Sequence, residues 1–137
     1  MNKLYALTGT IALVITLLLQ SCGGGMGTNS PGATVKKAFE LIAGSDYEKA
    51  VDTYTKKDGT AFTEEERTKV KGLLAMGASE IEKKGGIKSM EILEEKISDD
   101  GTTATVKWKI TYGNGETDNS DGELIKVDGK WKMKISN

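Results

Sequence analysis

The sequence predicts an α+β domain in which N-terminal helices pack on one face of a four-stranded antiparallel sheet. Two changes along the chain predict this class. Between residues 31 and 85, apolar side chains recur every three or four residues, as they do on the buried side of a helix. From residue 87 onward, apolar and polar side chains alternate, as in a strand with one buried face, and glycine-containing turns separate the alternating segments.

The first two predicted helices are bounded by residues that commonly cap helices. Ser30 and Pro31 form an N-cap followed by a proline at the first helical position, and Gly44 is placed to end this helix. The segment Ser45–Glu48 has the pattern of a capping box. A second helix is therefore expected to begin there and to carry its apolar stripe as far as Tyr54.

A long third helix is predicted between the capping box Thr63–Glu66 and the glycine pair Gly85-Gly86. Apolar residues at helical spacing mark its expected buried side: Val70, Leu73, Leu74, Ala78 and Ile81. Gly72 and Gly77 lie inside this helix, where glycine costs roughly 1 kcal/mol relative to alanine. They indicate close packing against a sheet or a neighbouring helix, and a ligand that approaches the bare backbone is the alternative.

Alternation predicts four strands in the second half of the domain. They are Ile87–Ile97, Ala104–Tyr112, Leu124–Val127 and a last strand with Trp131, Met133 and Ile135. The inward-facing residues of these strands and the helical stripes together form the predicted core. A domain of about 107 residues can bury roughly two-thirds of its unfolded surface, so it is expected to fold without disulfides.

The last hairpin has two possible registers around Asp128-Gly129. A two-residue loop pairs Val127 with Lys130, whereas a three-residue loop pairs Ile125 with Trp131. The second register places two apolar side chains on the buried face and is therefore favoured.

The N-terminal segment has the pattern of a secretory signal. Lys3 precedes an apolar run from Leu4 to Leu19, which is shorter than the roughly 20 residues that span a bilayer. An uncleaved signal anchor is the alternative. The run ends in Leu19-Gln20-Ser21-Cys22, which resembles the bacterial lipobox, and Cys22 is the only cysteine in the chain. The resemblance implies a signal peptide over residues 1–21 and a lipid attached to Cys22.

Residues 22–30 are predicted to form a flexible tether between the lipid and the domain, because four of the eight residues after Cys22 are glycine and none is charged. Gly23, rather than aspartate, follows the cysteine. By the sorting behaviour of Gram-negative lipoproteins, this predicts an outer-membrane protein that faces the periplasm. The single α+β domain is expected over residues 31–137.

Composition excludes several classes of function. The net charge of -1 removes a global basic field for nucleic acid. The chain has no histidine, which excludes Ser/His/Asp and Cys/His catalytic arrangements and imidazole zinc sites. A single cysteine excludes an internal disulfide. No cofactor and no metal site are predicted.

The order of predicted elements resembles a known family. With Ala38-Phe39 and Gly44–Ala50 near the start and Asp128–Lys132 at the end, the chain is similar to a bacterial lipoprotein family described as a domain of unknown function. That family has a lumazine-binding-like, cystatin-like fold and belongs with the nuclear-transport-factor-2-like superfamily. The resemblance implies a curved sheet wrapped around a long helix, with a conical cavity, and it carries over no catalytic residue.

Five aromatic residues are candidates to line such a cavity, although their spacing equally suits core positions. They are Phe39, Tyr47, Tyr54, Trp108 and Tyr112. The acidic clusters Glu64–Glu66, Glu94-Glu95 and Asp99-Asp100 suit helix caps, turns and strand edges better than catalysis. Asp99, Asp100, Asp118 and Asp121 lack the spacing of a calcium-binding loop, so no calcium site is predicted from them.

The expected outer face of the sheet is rich in lysine: Lys107, Lys109, Lys130, Lys132 and Lys134. This indicates either a solvated face balanced by Glu123 and Glu94 or Glu95, or a contact with anionic envelope polymers or phospholipid headgroups. A face of lysine and threonine is a poor apolar interface, so a monomer is predicted.

These observations predict a lipid-anchored cell-envelope protein, held in the membrane by Cys22, whose domain binds a small ligand or an envelope protein without catalysis. The alternative is a cavity enzyme of hydrolase or isomerase type.

Overall fold

A computed structural model describes residues 29–135, so the predicted signal peptide, Cys22 and the tether up to residue 28 lie outside the described residues. The elements follow one another as α1 (Pro31–Ala43), α2 (Tyr47–Val51), β1 (Tyr54–Thr55), α3 (Glu64–Lys83), β2 (Ile87–Ile97), β3 (Thr103–Tyr112), β4 (Thr117–Val127) and β5 (Lys130–Lys134). Within residues 29–135, no helix has the length and apolar character needed to cross a bilayer.

The predicted α+β class is confirmed, with one more strand than expected. The sheet has the order β1-β5-β4-β3-β2, in which β1 runs parallel to β5 and every other pair is antiparallel. Tyr54 was expected in the second helix, but that helix ends at Val51 and Tyr54 pairs with Met133. A strand of two residues is too short to show an alternating pattern in the sequence. It forms because the edge of β5 offers hydrogen-bond partners, such as the Met133 N–H, which donates to the Thr53 carbonyl at 2.8 Å.

The predicted caps of α1 and α3 are confirmed. The Ser30 side chain accepts from the Ala33 N–H at 3.1 Å. Thr63 and Glu66 form a reciprocal capping box, with bonds of 3.2 and 2.8 Å. The capping box predicted at Ser45 is wrong: Ser45 has a φ of 62° as the chain leaves α1, and Asp46 caps α2 instead.

The helix that covers the sheet is α1, which contacts β2, β3 and β5, while α3 packs against α1 and α2. The face under α1 is called the inner face below, and the opposite one the outer face. The core under α1 is formed by residues from α1 and the three central strands: Val35, Ala38, Ala104, Val106, Trp108, Ile110, Tyr112, Leu124, Trp131 and Met133. The long helix is therefore at the side of the core rather than in the hollow of the sheet.

This placement changes the environment of α3. Val70 is buried, but Leu73, which was predicted to be buried, is 60% exposed. A Cβ atom added at Gly72 or Gly77 would meet nothing within 4 Å. The close packing expected at these glycines is absent, because no other described part of the chain approaches either position.

The favoured register of the last hairpin is also wrong. Val127 pairs with Lys130 across a two-residue loop in which Asp128 and Gly129 have φ angles of 50° and 78°. Positive φ angles at both loop residues are typical of the turn that favours two-residue hairpins, because its twist matches that of the flanking strands. This register also buries apolar surface in the core, because Leu124, rather than Ile125, faces inward and pairs with Met133.

Candidate functional site

The five aromatic residues predicted as cavity lining do not converge on one cavity. Phe39 and Trp108 meet edge to face, with ring centroids 5.9 Å apart, and Trp108 and Tyr112 belong to the core. Tyr47 lies beside a groove between the end of α1 and α3. Tyr54 lines a separate groove of about 430 Å³ next to β1. The space between α1 and the sheet, where the resemblance implied a cavity, is occupied by packed side chains.

Trp108 fills the centre of the inner face. A Cβ atom at Gly122 on the neighbouring strand would lie 3.0 Å from Cη2 of this ring, so the indole occupies the room that glycine leaves. The buried Nε1–H of Trp108 has no hydrogen-bond partner in the part of the chain that the structure describes. A buried unpaired donor costs about 1–3 kcal/mol, so the packing of the ring has to outweigh this loss.

A hydroxyl, a carboxylate and an amine meet where α3 ends and β4 begins. The Tyr112 hydroxyl donates to Oδ2 of Asp118 at 2.8 Å, and Nζ of Lys84 lies 3.2 Å from the same oxygen. The Lys84 Nζ also lies 4.6 Å from the centroid of the Tyr112 ring. Because Lys84 caps α3 while the other two residues belong to β3 and β4, this cluster ties the helix to the sheet.

The electrostatics of this cluster favour a fixed arrangement at neutral pH. Burial, together with the bond to Asp118, raises the pKa of Tyr112 to about 12. The bond from Tyr112 and then the neighbouring Lys84 lower the pKa of Asp118. The tyrosine is therefore protonated and the aspartate ionised. The sequence singled out Tyr112 but missed its partner, although Asp118 pairs with Ile110 and so lies diagonally across the hairpin from Tyr112.

The acidic clusters stabilise the fold. Glu66 belongs to the capping box, and Asp100 accepts bonds from Ser98 and Thr102 that lower its pKa to about 2. Glu94 and Glu95 lie on opposite faces, as predicted. Glu94 pairs with Lys107 on the outer face, while Glu95 accepts from the Gly32 N–H at 2.8 Å, in the first turn of α1. Within residues 29–135, no group of three metal-ligating side chains is placed to hold an ion.

The lysines of the outer face are partly balanced by acids. Lys107 lies 3.2 Å from Glu94, and Lys134 lies 3.3 Å from Glu123. Lys132 donates to the backbone carbonyl of Asp52. Since Glu95 lies on the inner face, only Glu94 of that pair contributes to the balance expected on the outer face.

A groove of about 700 Å³ between the start of α1 and β5 is surrounded by two lysines from α1 and two from the outer face of β5. We call it the basic groove and define it by Lys36, Lys37, Lys130 and Lys132 around Trp131. The Nζ of Lys126 lies 5.3 Å from the centroid of the Trp131 ring and adds a fifth positive charge. The groove also contains Asn29, the first described residue, so it opens where the predicted tether joins the domain.

Sequence reasoning missed this groove. It placed Lys130 and Lys132 on the outer face, where the register of β5 also puts them, but it gave no role to Lys36 and Lys37, which lie almost a hundred residues earlier. The two pairs meet because α1 lies against β5, the last strand of the domain. No local pattern in the sequence carries this information.

Comparisons with known proteins agree with the geometry. A family model described as "Domain of unknown function (DUF4878)" matches residues 20–134. No curated protein matches the sequence. A Campylobacter jejuni protein, provisionally described as an NTF2-like transpeptidase, is similar in structure with a TM-score of 0.64 and 21% sequence identity, over 77% of this chain and 98% of that one. A SEC-C motif containing protein from Rhodopseudomonas palustris has a TM-score of 0.51 and 16% identity, over 78% and 77% of the two chains. The first of these likenesses shows that the described domain has the NTF2-like fold.

Proposed function

We propose that this chain, which belongs to the DUF4878 family of domains of unknown function, is a lipid-anchored protein of the bacterial cell envelope whose NTF2-like domain binds a partner without catalysis. The observation that carries the proposal is the position of Cys22. It is the only cysteine, it lies three residues after the end of the apolar N-terminal run, and it follows Leu19-Gln20-Ser21 in the order of a lipobox.

Physical chemistry supports an anchor at this place. Each buried CH₂ of an acyl chain contributes about 0.8 kcal/mol to membrane attachment, so two or three chains on one cysteine hold a protein for long periods. The first described residue, Asn29, comes seven residues after Cys22. Seven residues reach at most about 25 Å, so the domain would stay beside the bilayer. With Gly23 after the cysteine, we place the protein at the outer membrane, on the periplasmic side.

The described side chains support a binding role. The carboxylates and the tyrosine considered for chemistry are engaged in structural bonds, such as Asp118 with Tyr112 and Glu95 with Gly32. The grooves lie at the surface and are lined in part by lysine, as in the basic groove. Such surfaces suit a partner or a small ligand that binds at the surface of the domain. The lysine-rich and acid-balanced outer face further favours a monomer.

The anchor is tested by phase partitioning of the full chain expressed in a bacterium. The wild-type protein is expected in the detergent phase of a Triton X-114 extract, and Cys22→Ser is expected in the aqueous phase. Ser21→Ala is the matched control, because it keeps a small residue before the cysteine and should leave partitioning unchanged. Equal partitioning of wild type and Cys22→Ser would contradict the anchor.

A cavity enzyme of hydrolase or isomerase type is the second candidate, and the Tyr112–Asp118–Lys84 cluster is the observation that favours it. The cluster combines a hydroxyl, a carboxylate and an amine within hydrogen-bond distance. Thermal stabilisation by compounds from a metabolite panel would support binding. Turnover of any of those compounds that is lost in Tyr112→Phe would instead support the enzyme.

A further inference from the structure

We propose that the basic groove rests on anionic phospholipid headgroups of the bilayer, so that the start of α1 and the strand β5 face the membrane. The orientation rests on the proposed anchor at Cys22, whereas the affinity of the groove for an anionic surface does not. The proposal adds a membrane-facing side to a domain that the anchor alone would leave free to rotate.

The charge of the groove is not compensated by its own acids. Lys36, Lys37 and Lys130 form no ion pair with any residue between 29 and 135. The groove contains two carboxylates against four lysines. Glu40 forms no ion pair with a described residue, and Asp52 is already bound by Arg67, with a distance of 2.8 Å from Nη1 to Oδ1. The positive charge of these lysines therefore remains available to an external anion.

Several lysines elsewhere in the domain, by contrast, lie close to acids. Lys71 lies 2.6 Å from Glu48, and Lys56 lies 2.9 Å from Glu66. Lys107 and Lys134 are paired on the outer face, as described above. Because the whole chain has a net charge of -1, the unpaired lysines of the groove create a local positive side on a protein that is slightly acidic overall.

The position of this side relative to the chain points to a membrane rather than to a soluble partner. The groove includes Asn29, where the predicted tether enters the domain, and the tether reaches at most about 25 Å. A protein surface held that close to an anionic bilayer samples its headgroups continuously. Each lysine near such a surface raises the binding constant by about fivefold. The effect declines beyond a Debye length, which is about 8 Å at physiological salt.

Vesicle co-sedimentation tests the groove without the anchor. The probe is the mature chain, residues 22–137, with Cys22→Ser. It keeps the whole core, because the buried apolar side chains of the described domain lie between Pro31 and Met133. The vesicles contain either phosphatidylglycerol mixed with phosphatidylethanolamine, or phosphatidylcholine alone. We expect binding to the first and not to the second, and weaker binding as salt is raised.

Two triple variants with the same change in net charge separate the groove from the rest of the surface. The groove variant combines Lys36→Gln, Lys37→Gln and Lys130→Gln, and we expect it to lower the partition coefficient at least about tenfold. The control variant combines Lys57→Gln, Lys83→Gln and Lys88→Gln, which are all at exposed positions outside the groove. We expect it to lower the partition coefficient by no more than about twofold. Thermal melts of both variants check that they are folded.

Equal losses in the two triple variants, or binding to phosphatidylcholine, would overturn the proposal. Displacement of the bound protein by millimolar glycerol phosphate at constant ionic strength would also overturn it, since it would indicate a discrete site for a small anion. These results are independent of whether Cys22 carries a lipid, so the inference and the proposed function can fail separately.

Discussion

The Tyr112 hydroxyl donates a hydrogen bond of 2.8 Å to Oδ2 of Asp118, across the hairpin that joins β3 to β4. The same oxygen lies 3.2 Å from Nζ of Lys84, at the end of α3. One carboxylate oxygen therefore joins the sheet to α3, the helix that does not cover the inner face. Together with the Asn114 N–H, which donates to the Lys84 carbonyl at 2.9 Å, this contact holds the C-terminal end of α3 against the sheet.

Removing the hydroxyl should loosen this end of the domain. Tyr112→Phe keeps the ring in the core and removes the bond to Asp118, so we expect the free energy of unfolding to fall by about 0.5–1.5 kcal/mol. Urea denaturation measures the change. Tyr47→Phe serves as the control, since the Tyr47 hydroxyl has no hydrogen bond to a described residue, and an equal loss in the control would contradict the role of Asp118.

Alkaline pH should destabilise the domain through its tyrosines. Burial raises the pKa of Tyr54 to about 12, and burial with the bond to Asp118 does the same for Tyr112. A group that binds its proton more tightly in the folded state stabilises that state fully below its unfolded pKa, about 10 for tyrosine, and loses this contribution as the pH rises through the folded value.

The free energy of unfolding is therefore expected to fall between about pH 10 and pH 12. Chemical denaturation at a series of pH values measures it. The variant Tyr54→Phe should show a shallower decline over this range than the wild type. An identical decline in the two proteins would show that burial of the Tyr54 hydroxyl is not its cause.

The carboxylate of Glu95 should stabilise the first turn of α1. It accepts from the Gly32 N–H at 2.8 Å and places a negative charge at the positive end of the helix. We expect Glu95→Ala to lower the free energy of unfolding by about 1–2 kcal/mol, and Glu95→Gln to lower it less because the amide keeps an acceptor. Glu94→Gln, on the outer face, is the neighbouring control and should leave the thermal midpoint nearly unchanged.

Alanine at two glycines should change stability in opposite directions. A Cβ atom at Gly122 would lie 3.0 Å from Trp108, so Gly122→Ala is expected to destabilise by about 1–3 kcal/mol. Gly72 is exposed in α3 with nothing within 4 Å, so Gly72→Ala is expected to stabilise by about 0.5–1 kcal/mol. Thermal unfolding of both variants measures this, and destabilisation by Gly72→Ala would indicate a close neighbour of α3 in solution.

Features that depend on neighbouring residues could be predicted from the sequence. The caps at Ser30 and Thr63 place the starts of α1 and α3 correctly, and strict alternation identifies β3. The opposite orientation of Glu94 and Glu95 follows from the two-residue period of a strand. Each of these depends on chemistry within a few residues of the chain.

Features that depend on how elements meet could not be predicted. Leu73 has the spacing of a buried residue, yet it is exposed because α1, rather than α3, covers the sheet. The register at Asp128-Gly129 depends on two positive φ angles together with the burial of Leu124. The basic groove requires Lys36 and Lys130 to approach each other from opposite ends of the domain.

The lipid on Cys22 is the premise of the proposed function and of the orientation inferred for the domain, and the mass of the N-terminal peptide tests it most directly. The protein would be purified from the membranes of a bacterium that expresses the full chain. We predict a first peptide that begins at Cys22, with diacylglycerol on its sulfur and a further acyl chain on its amino group. A peptide that runs through Ser21 into Cys22, with an unmodified thiol, would contradict the anchor.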